Sequence, residues 1–194
     1  MAEISPYIKI ICEGLKTEPN YFNGWLRANG YVAPNPASKA KDNSPRGVVK
    51  EAKQVYQDAL KIIKIPPDKI HVWAVFDRDS HAGLPEAIDE ARNSKINFAF
   101  SNVCFEFWLL LHFERTTKAF AGCDEIIDFI RQYHDADYGK SNDHYARLKN
   151  RISKALENGE WLVNTHWQHD ERPIWEKNPY SDVHEMMNRI KGIL

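Results

Sequence analysis

The sequence has 194 residues, enough for one well-packed domain, and its 43% hydrophobic and 27% charged residues are ordinary for a soluble globular protein. The formal net charge of −1 argues against a strongly basic surface that coats nucleic acid, and no apolar run approaches the roughly 18 residues that cross a bilayer. Strand-like sequence begins by Tyr7, which leaves no room for a signal segment, so we expect no membrane contact and a cytoplasmic location.

The three cysteines, Cys12, Cys104 and Cys123, are odd in number and widely spaced. They form no Cys-x-x-Cys pair, a spacing that is typical of thiolate metal sites and redox motifs. We therefore expect neither a disulfide framework nor a zinc site built from thiolates.

The first half of the chain alternates strand-like and helix-like segments. An apolar run over residues 7–12 predicts the first strand, and Thr17, followed by Pro19, predicts a capped helix start. Three prolines within residues 32–45 predict a loop. The pattern then predicts helix 46–64, strand 70–76, helix 86–93 and strand 96–100.

The order of these segments predicts an α/β fold with a mostly parallel sheet and helices on both faces. The near-continuous apolar strands fit burial on both sides of such a sheet. The later segments with helical spacing are 105–113, 124–134, 143–158 and 182–193. We expect an α/β core over residues 1–115 and a helical extension over residues 116–194, packed on the same domain.

Three carboxylates stand where predicted strands end. Glu13 follows the first strand, and Asp77 and Asp79 close the second with one residue between them. Open parallel sheets bind ligands outside the carboxyl ends of their strands, and side chains at i and i+2 of an extended segment share a face. Because Mg²⁺ prefers oxygen ligands, the trio predicts a Mg²⁺ or Mn²⁺ site for phosphate chemistry. Each carboxylate taken alone also suits a turn or a helix cap.

Four segments in this order resemble the motifs of the RloB-like family. They are CEGLKTEPNYF at 12–22, VFDRD at 75–79, SNVCFEFWLLLHF at 101–113 and NPYSDVH at 178–184. The third departs from the family pattern at Val103, where a proline is usual. RloB-like proteins are regarded as Toprim-type domains from bacterial defence and restriction neighbourhoods, including abortive-infection pairs with an ATPase partner. The resemblance implies a Toprim-like fold over nearly the whole chain.

The resemblance also assigns roles to the carboxylates. It implies that Glu13 matches the Toprim glutamate and that Asp77 and Asp79 match the Asp-x-Asp pair. Glu106, at the start of the helix in the third motif, is either a fourth acidic member of the site or a residue that stabilises the positive helix N-terminus. His112, on the apolar face of that helix, is expected to be a hydrogen-bonded core histidine.

Two stretches of the chain are locally basic despite the near-neutral total charge. Residues 39–53 include five basic and two acidic residues, and residues 140–154 include five basic and one acidic residue. These stretches either contact a phosphate backbone or form the solvated faces of helices. The candidate nucleic-acid contacts among them are Lys39, Lys41, Arg46, Lys140, Arg147 and Arg151.

The leading functional hypothesis is a nuclease that depends on Mg²⁺ or Mn²⁺ and cleaves RNA or DNA. Glu13, Asp77 and Asp79 are its metal ligands and Glu106 is a further catalytic carboxylate, although Glu13 also suits a general base. The family resemblance implies anti-phage defence and an ATPase partner. One alternative is a non-catalytic Toprim-like subunit that binds an ion or a nucleotide. Another is phosphotransfer or primase-like chemistry, for which the sequence has neither a Gly-rich phosphate loop nor a zinc module.

Overall fold

The protein is built around one five-stranded sheet; the structure, a computed structural model, describes residues 5–78, 83–94 and 96–194. The strands are β1 (Tyr7–Cys12), β2 (Ala37–Lys39), β3 (Ile70–Asp77), β4 (Asn97–Asn102) and β5 (Tyr180–Ser181). The α-helices are α1 (Thr17–Ala28), α2 (Pro45–Asp58), α3 (Leu84–Asn93), α4 (Phe105–Leu110), α5 (Cys123–Tyr133), α6 (His144–Leu148), α7 (Ile152–Trp161) and α8 (Val183–Lys191). The strand order is β2-β1-β3-β4-β5, and all neighbours are parallel except β4 and β5. The predicted α/β fold, with its mostly parallel sheet and C-terminal helices, is confirmed.

The two central strands, β1 and β3, pair along the whole of β1. Their register runs from Tyr7 beside Ile70 to Cys12 beside Val75. Apart from Lys9, His71 and the terminal Asp77, both strands carry apolar side chains on their two faces, and burying a large aliphatic or aromatic side chain stabilises the fold by about 1.5–3 kcal/mol. The register ends both strands at nearly the same level, so the residues that follow them lie next to each other.

The connections from β1 and β3 leave the sheet in opposite directions. β1 leads through α1 to β2 on one side, whereas β3 leads through α3 to β4 on the other. Because crossovers between parallel strands are right-handed, α1 covers one face of the sheet and α2 and α3 cover the other. The carboxyl ends of β1 and β3 therefore form a topological switch point, where α/β sheets open a crevice for ligands.

Two short edge strands differ from the sequence prediction. β2 lies inside the segment predicted to be a loop, and its three residues pair with the end of β1, from Ala37 beside Ile10 to Lys39 beside Cys12. β5 has two residues and pairs antiparallel with the end of β4. Strands this short show no periodic pattern, so only pairing within the sheet reveals them.

Two predictions about where helices begin and end are wrong. Thr17 is the first residue of α1 and not its cap: its hydroxyl donates to the carbonyl oxygen of Lys140 at 3.1 Å. The single helix predicted over residues 143–158 is instead α6 and α7, separated by the 3-10 turn Lys149–Arg151. The other predicted helices are present, and most of their boundaries move by a few residues.

One hydrophobic cluster joins the sheet to the C-terminal helices. It contains fully buried side chains from α4, such as Trp108, and from α5 and α8, such as Ile126 and Met186. His112 is the core histidine that the sequence predicts, because it is fully buried and both ring nitrogens lie within 3.1 Å of a hydrogen-bond partner. The division at residue 115 stays a prediction. Among the described residues, no helix is long and apolar enough to cross a membrane.

Candidate metal centre

Glu13 and Asp77 meet at the switch point between β1 and β3. The backbone N–H of Glu13 donates to the carbonyl oxygen of Val75 at 2.9 Å, which continues the β1–β3 ladder by one residue. The N–H of Asp77 donates to Glu13 Oε2 at 3.0 Å. Both side chains are less than 10% exposed. The structure therefore brings together two carboxylates that lie 64 residues apart in the sequence.

The start of α4 places Asp77 beside a third carboxylate. The N–H of Phe105, the first residue of α4, donates to Asp77 Oδ2 at 3.0 Å, and the next residue is Glu106. Burial raises the pKa of Asp77 well above its usual value, and the nearby Glu18, Glu13 and Glu106 raise it further. Glu106 accepts a hydrogen bond from the Tyr138 hydroxyl at 3.1 Å. Glu106 is thus an inward-facing member of the acidic group as well as a residue of the first turn of α4.

Glu18 is a fourth carboxylate, which the sequence interpretation did not include in the site. It lies in the first turn of α1 and is 5% exposed, and its Oε1 accepts the N–H of Gly14 at 3.0 Å. Burial raises its pKa to about 7, and the charges of Glu106 and Glu13 add to that rise. An acidic residue in the first turn of a helix is common because the helix dipole favours it. The sequence signal that could have identified Glu18 is its position five residues after Glu13, the carboxylate that follows strand β1.

These four carboxylates line one pocket with a volume of about 580 Å³. The loop after β1 forms one wall, and the segment before α6 forms another. Two of the predicted basic residues, Lys39 and Lys140, also line it, and the Lys140 Nζ lies 3.9 Å from Glu106 Oε1. The pocket therefore combines a buried acidic floor with two exposed ammonium groups at its mouth. Asp79, the remaining predicted ligand, lies outside the described residues.

The other predicted basic residues have contacts of their own. Arg147 binds the carboxylate of Asp135 at 2.5 Å, and the guanidinium of Arg151 lies 5.1 Å from the centre of the Phe113 ring. Arg46 lies 4.0 Å from Glu90, and the backbone N–H of Lys41 donates to Glu51. None of these four lines the acidic pocket.

Cys104 and Cys123 form a disulfide beside Glu106, contrary to the expectation from their spacing. Cys104 directly precedes α4 and Cys123 begins α5, so the bond ties these helices together at the pocket wall. Because the two cysteines are 19 positions apart in the sequence, no short sequence motif indicates that they pair. Cys12 is the remaining, buried cysteine and has a free thiol.

The donor set of the pocket suits a hard divalent cation. All four acidic side chains offer oxygen, which is the ligand that Mg²⁺ and Mn²⁺ prefer. Buried carboxylates this close together repel one another, so they must hold protons or a positive partner. Burial is the main cause of the raised pKa values of Asp77 and Glu18, and repulsion by the neighbouring carboxylates raises them further. The residues present therefore fit the Mg²⁺ or Mn²⁺ ion that the sequence predicts.

A family model described as RloB-like protein matches residues 8–190 of the chain. The chain belongs to the RloB-like family. The matched residues of this RloB-like chain include Glu13, Glu18, Asp77, Glu106 and the disulfide. No curated protein and no solved structure matches it.

Proposed function

We propose that this RloB-like protein is a Toprim-type nuclease that depends on a divalent metal ion and cleaves phosphodiester bonds of RNA or DNA. The observation that carries the proposal is the pocket at the switch point, where Glu13, Glu18, Asp77 and Glu106 are all less than 10% exposed. Buried carboxylates that only support a fold are normally paired singly with a basic residue. Four of them around one pocket favour a cation as their shared partner.

Glu13 and Asp77, together with Asp79, are the residues that would hold Mg²⁺ or Mn²⁺. The bound ion supplies Lewis-acid polarisation of the scissile phosphate and a lower pKa for an attacking water. The protein holds these ligands in place beforehand: the Asp77 N–H orients Glu13, and the Phe105 N–H orients Asp77.

Glu18 and the two lysines have different roles in the proposal. A proton acceptor works best when its pKa lies near the working pH, and burial raises the pKa of Glu18 to about 7. Because Glu18 also lines the pocket beside Glu13, its carboxyl is the one we assign to accept a proton from water; the pKa of about 7 is that of the metal-free pocket. Lys39 and Lys140 stand at the mouth of the pocket, where their positive charges attract the phosphates that flank the scissile bond.

The setting of the proposed activity is anti-phage defence with an ATPase partner. This part rests on the family resemblance, since RloB-like proteins are regarded as members of such pairs. The near-neutral net charge agrees with a nuclease that needs a partner for tight substrate binding. Affinity for nucleic acid comes largely from an excess of basic residues, and this sequence has a net charge of −1.

Cleavage of labelled RNA and DNA with Mg²⁺ or Mn²⁺ tests the nuclease, with the protein alone and, if a neighbouring gene encodes an ATPase, together with that ATPase. We expect metal-dependent cleavage that Glu13→Gln and Asp77→Asn each reduce by on the order of 100-fold or more, because each removes a ligand charge. Glu171→Gln, at an exposed position, is the matched control and should cleave normally. Cleavage that persists in both pocket variants, or none under any metal and partner condition, contradicts the proposal.

The second candidate function is a non-catalytic subunit that binds an ion or a nucleotide. It is favoured by one observation: the protein already donates hydrogen bonds to the carboxylates, as Gly14 does to Glu18 and Tyr138 to Glu106. Calorimetry separates the two functions. Metal binding that Asp77→Asn weakens, without cleavage of any substrate, supports the subunit and contradicts the nuclease.

A further inference from the structure

A second group of ligand atoms adjoins the acidic pocket where α4 and α5 begin. One sulfur each from Cys104 and Cys123 and one carboxylate oxygen from Glu106 all lie within 4.8 Å of one another. Cys104 and Glu106 are buried, and Cys123 is half-buried. We call these three residues the thiol cluster. In the structure its two sulfurs are joined as a disulfide.

We propose that the thiol cluster is a redox-controlled binding site for a thiophilic divalent cation such as Zn²⁺. The disulfide closes the site in the oxidised protein, and reduction opens it. The site shares Glu106 with the acidic pocket but adds two sulfur ligands, so its chemistry differs from that of the oxygen site at Glu13 and Asp77, and its metal binding can be measured without any cleavage assay.

The composition of the thiol cluster matches the ligands of zinc. Zn²⁺ binds thiolates at about 2.3 Å and carboxylate oxygens at about 2.0–2.2 Å, and three protein ligands leave a fourth position for water. The Cα atoms of Cys104 and Cys123 are 5.7 Å apart, a spacing that lets both sulfurs reach one ion. Thiolates select Zn²⁺ over Mg²⁺, whereas carboxylates and water suit Mg²⁺.

Glu106 is positioned to complete the thiol cluster. Its Oε2 lies 3.1 Å from the sulfur of Cys123. Its other oxygen, Oε1, accepts the hydrogen bond of the Tyr138 hydroxyl at 3.1 Å. A hydrogen bond to the outer oxygen of a ligating carboxylate fixes its orientation, as partners of metal ligands commonly do. Tyr138 therefore turns Oε2 toward the sulfurs.

The chemical step is a thiol–disulfide exchange followed by metal binding. A dithiol reductant transfers two electrons and two protons: the S–S bond of Cys104 and Cys123 breaks to give two thiols, and the reductant becomes a disulfide. Zn²⁺ then binds both sulfurs as thiolates and releases the two thiol protons to water. Oxidised protein lacks these two ligands and cannot form the site.

Cobalt spectroscopy tests the proposal, because Co²⁺ replaces Zn²⁺ and shows an intense near-ultraviolet sulfur-to-metal band only when thiolates bind it. The full-length protein is titrated with Co²⁺ in excess Mg²⁺, which competes with Co²⁺ for oxygen ligands. We expect the band in protein that was reduced with a dithiol and then freed of the reductant without oxygen, since residual dithiol would itself bind Co²⁺. We expect no band in oxidised protein, and we expect the band of the reduced protein to disappear when Zn²⁺ is added. A reduced protein without the band overturns the proposal, as does an equal band in the two redox states.

Single substitutions assign the ligands. Loss of a residue that only supports a metal ligand weakens metal binding by roughly 10- to 100-fold. Cys104→Ser and Cys123→Ser each remove a ligand itself, so each should weaken Co²⁺ binding by at least that factor and should diminish the band. Cys12→Ala is the matched control, since Cys12 is the cysteine outside the cluster, and its band should match that of the wild type. Glu106→Gln should retain a sulfur band with weaker binding. Circular dichroism confirms that each variant is folded, and a band lost only in Cys12→Ala contradicts the assignment.

Discussion

Among single residues, Glu18 makes the stability of the folded protein depend on pH, because its buried carboxyl gains or loses a proton near neutral pH. Burial, with the charges of Glu106 and Glu13, raises its pKa to about 7, above the ordinary glutamate value near 4.5. The folded protein therefore holds this proton more tightly than the unfolded chain does. The stabilisation is complete below pH 4.5 and is lost as the pH rises through about 7. A cation bound in the pocket has the opposite effect: it favours the ionised form of Glu18 and so lowers the pKa of this carboxyl.

The substitution Glu18→Gln distinguishes the effect of the Glu18 charge on stability from the effect of a bound cation. Glutamine keeps the hydrogen bond from Gly14 but has no charge, so we expect the metal-free variant to be more stable than the wild type at pH 8 by about 1–3 kcal/mol. Its melting temperature should also rise less on addition of Mn²⁺. Thermal unfolding at pH 5 and pH 8, with and without Mn²⁺, measures both quantities. Equal Mn²⁺ responses in Glu18→Gln and in the exposed control Glu171→Gln would count against a metal in the pocket.

The Tyr21–His112 pair is a buried polar contact in the core. His112 Nδ1 lies 3.1 Å from the carbonyl oxygen of Trp108, which only accepts, so Nδ1 carries the proton and Nε2 accepts from the Tyr21 hydroxyl at 2.9 Å. Burial lowers the pKa of His112 to about 4, so the ring is neutral at pH 7. Its contribution to stability is present above the ordinary histidine pKa near 6.5 and is lost as the pH falls toward 4.

Tyr21→Phe should leave His112 Nε2 buried without a donor and destabilise the protein by about 1–3 kcal/mol. Urea unfolding at pH 7 measures the loss. Tyr133→Phe, at a position that is 60% exposed, is the matched control and should change stability by less than about 0.5 kcal/mol. Similar stability of Tyr21→Phe and this control would show that the hydrogen bond contributes nothing net.

At the scale of elements, the close approach of α1 and α6 positions one wall of the pocket. A Cβ atom on Gly24 in α1 would lie 2.6–2.9 Å from the Tyr145 side chain in α6, nearer than real side chains pack. The Thr17 hydroxyl, also in α1, holds the backbone of Lys140 just before α6. These contacts fix the segment that brings Lys140 to the mouth of the pocket.

Gly24→Ala should push α6 away from α1. Alanine favours a helix by about 1 kcal/mol over glycine, but forcing apart two packed helices costs about 1–3 kcal/mol, so we expect a net loss of stability. Gly122→Ala is the control, because a Cβ atom there meets nothing within 4 Å. Chemical denaturation of both variants measures the difference, and a Gly24→Ala protein as stable as the wild type refutes the close contact.

The predicted and observed secondary-structure elements differ where tertiary packing, and not the periodicity of the sequence, determines which element forms. The long apolar strands β1 and β3 and the helices with a regular apolar face are recognisable because their patterns extend over many residues. β2 is missed because three residues among prolines carry no pattern. The break between α6 and α7 is missed because the apolar spacing continues through the 3-10 turn Lys149–Arg151.

At the scale of the whole molecule, the Cys104–Cys123 disulfide connects the sheet-side helix α4 to the C-terminal helices through α5. Closing a loop of about this length restricts the unfolded chain and stabilises a protein by about 3 kcal/mol. Reduction with a dithiol should therefore lower the melting temperature by roughly 6–12 °C for a protein of this size. Differential scanning calorimetry of oxidised and reduced protein measures this. Because Cys104→Ser cannot form the bond, its melting temperature should not respond to the reductant, and a wild type equally unresponsive would refute the stabilisation.

Sequence patterns alone predict the fold class, the family and three of the carboxylates that line the pocket. Glu13, Asp77 and Glu106 stand at strand ends or in family motifs, and local pattern is sufficient to find them. Three further features are visible only in the folded protein: Glu18 joins these carboxylates, Lys39 and Lys140 line the same pocket while Arg147 and Arg151 do not, and Cys104 bonds to Cys123. Strand pairing and helix packing set the distances between residues that are far apart in the chain, and neither produces a periodic pattern in the sequence from which those distances could be read.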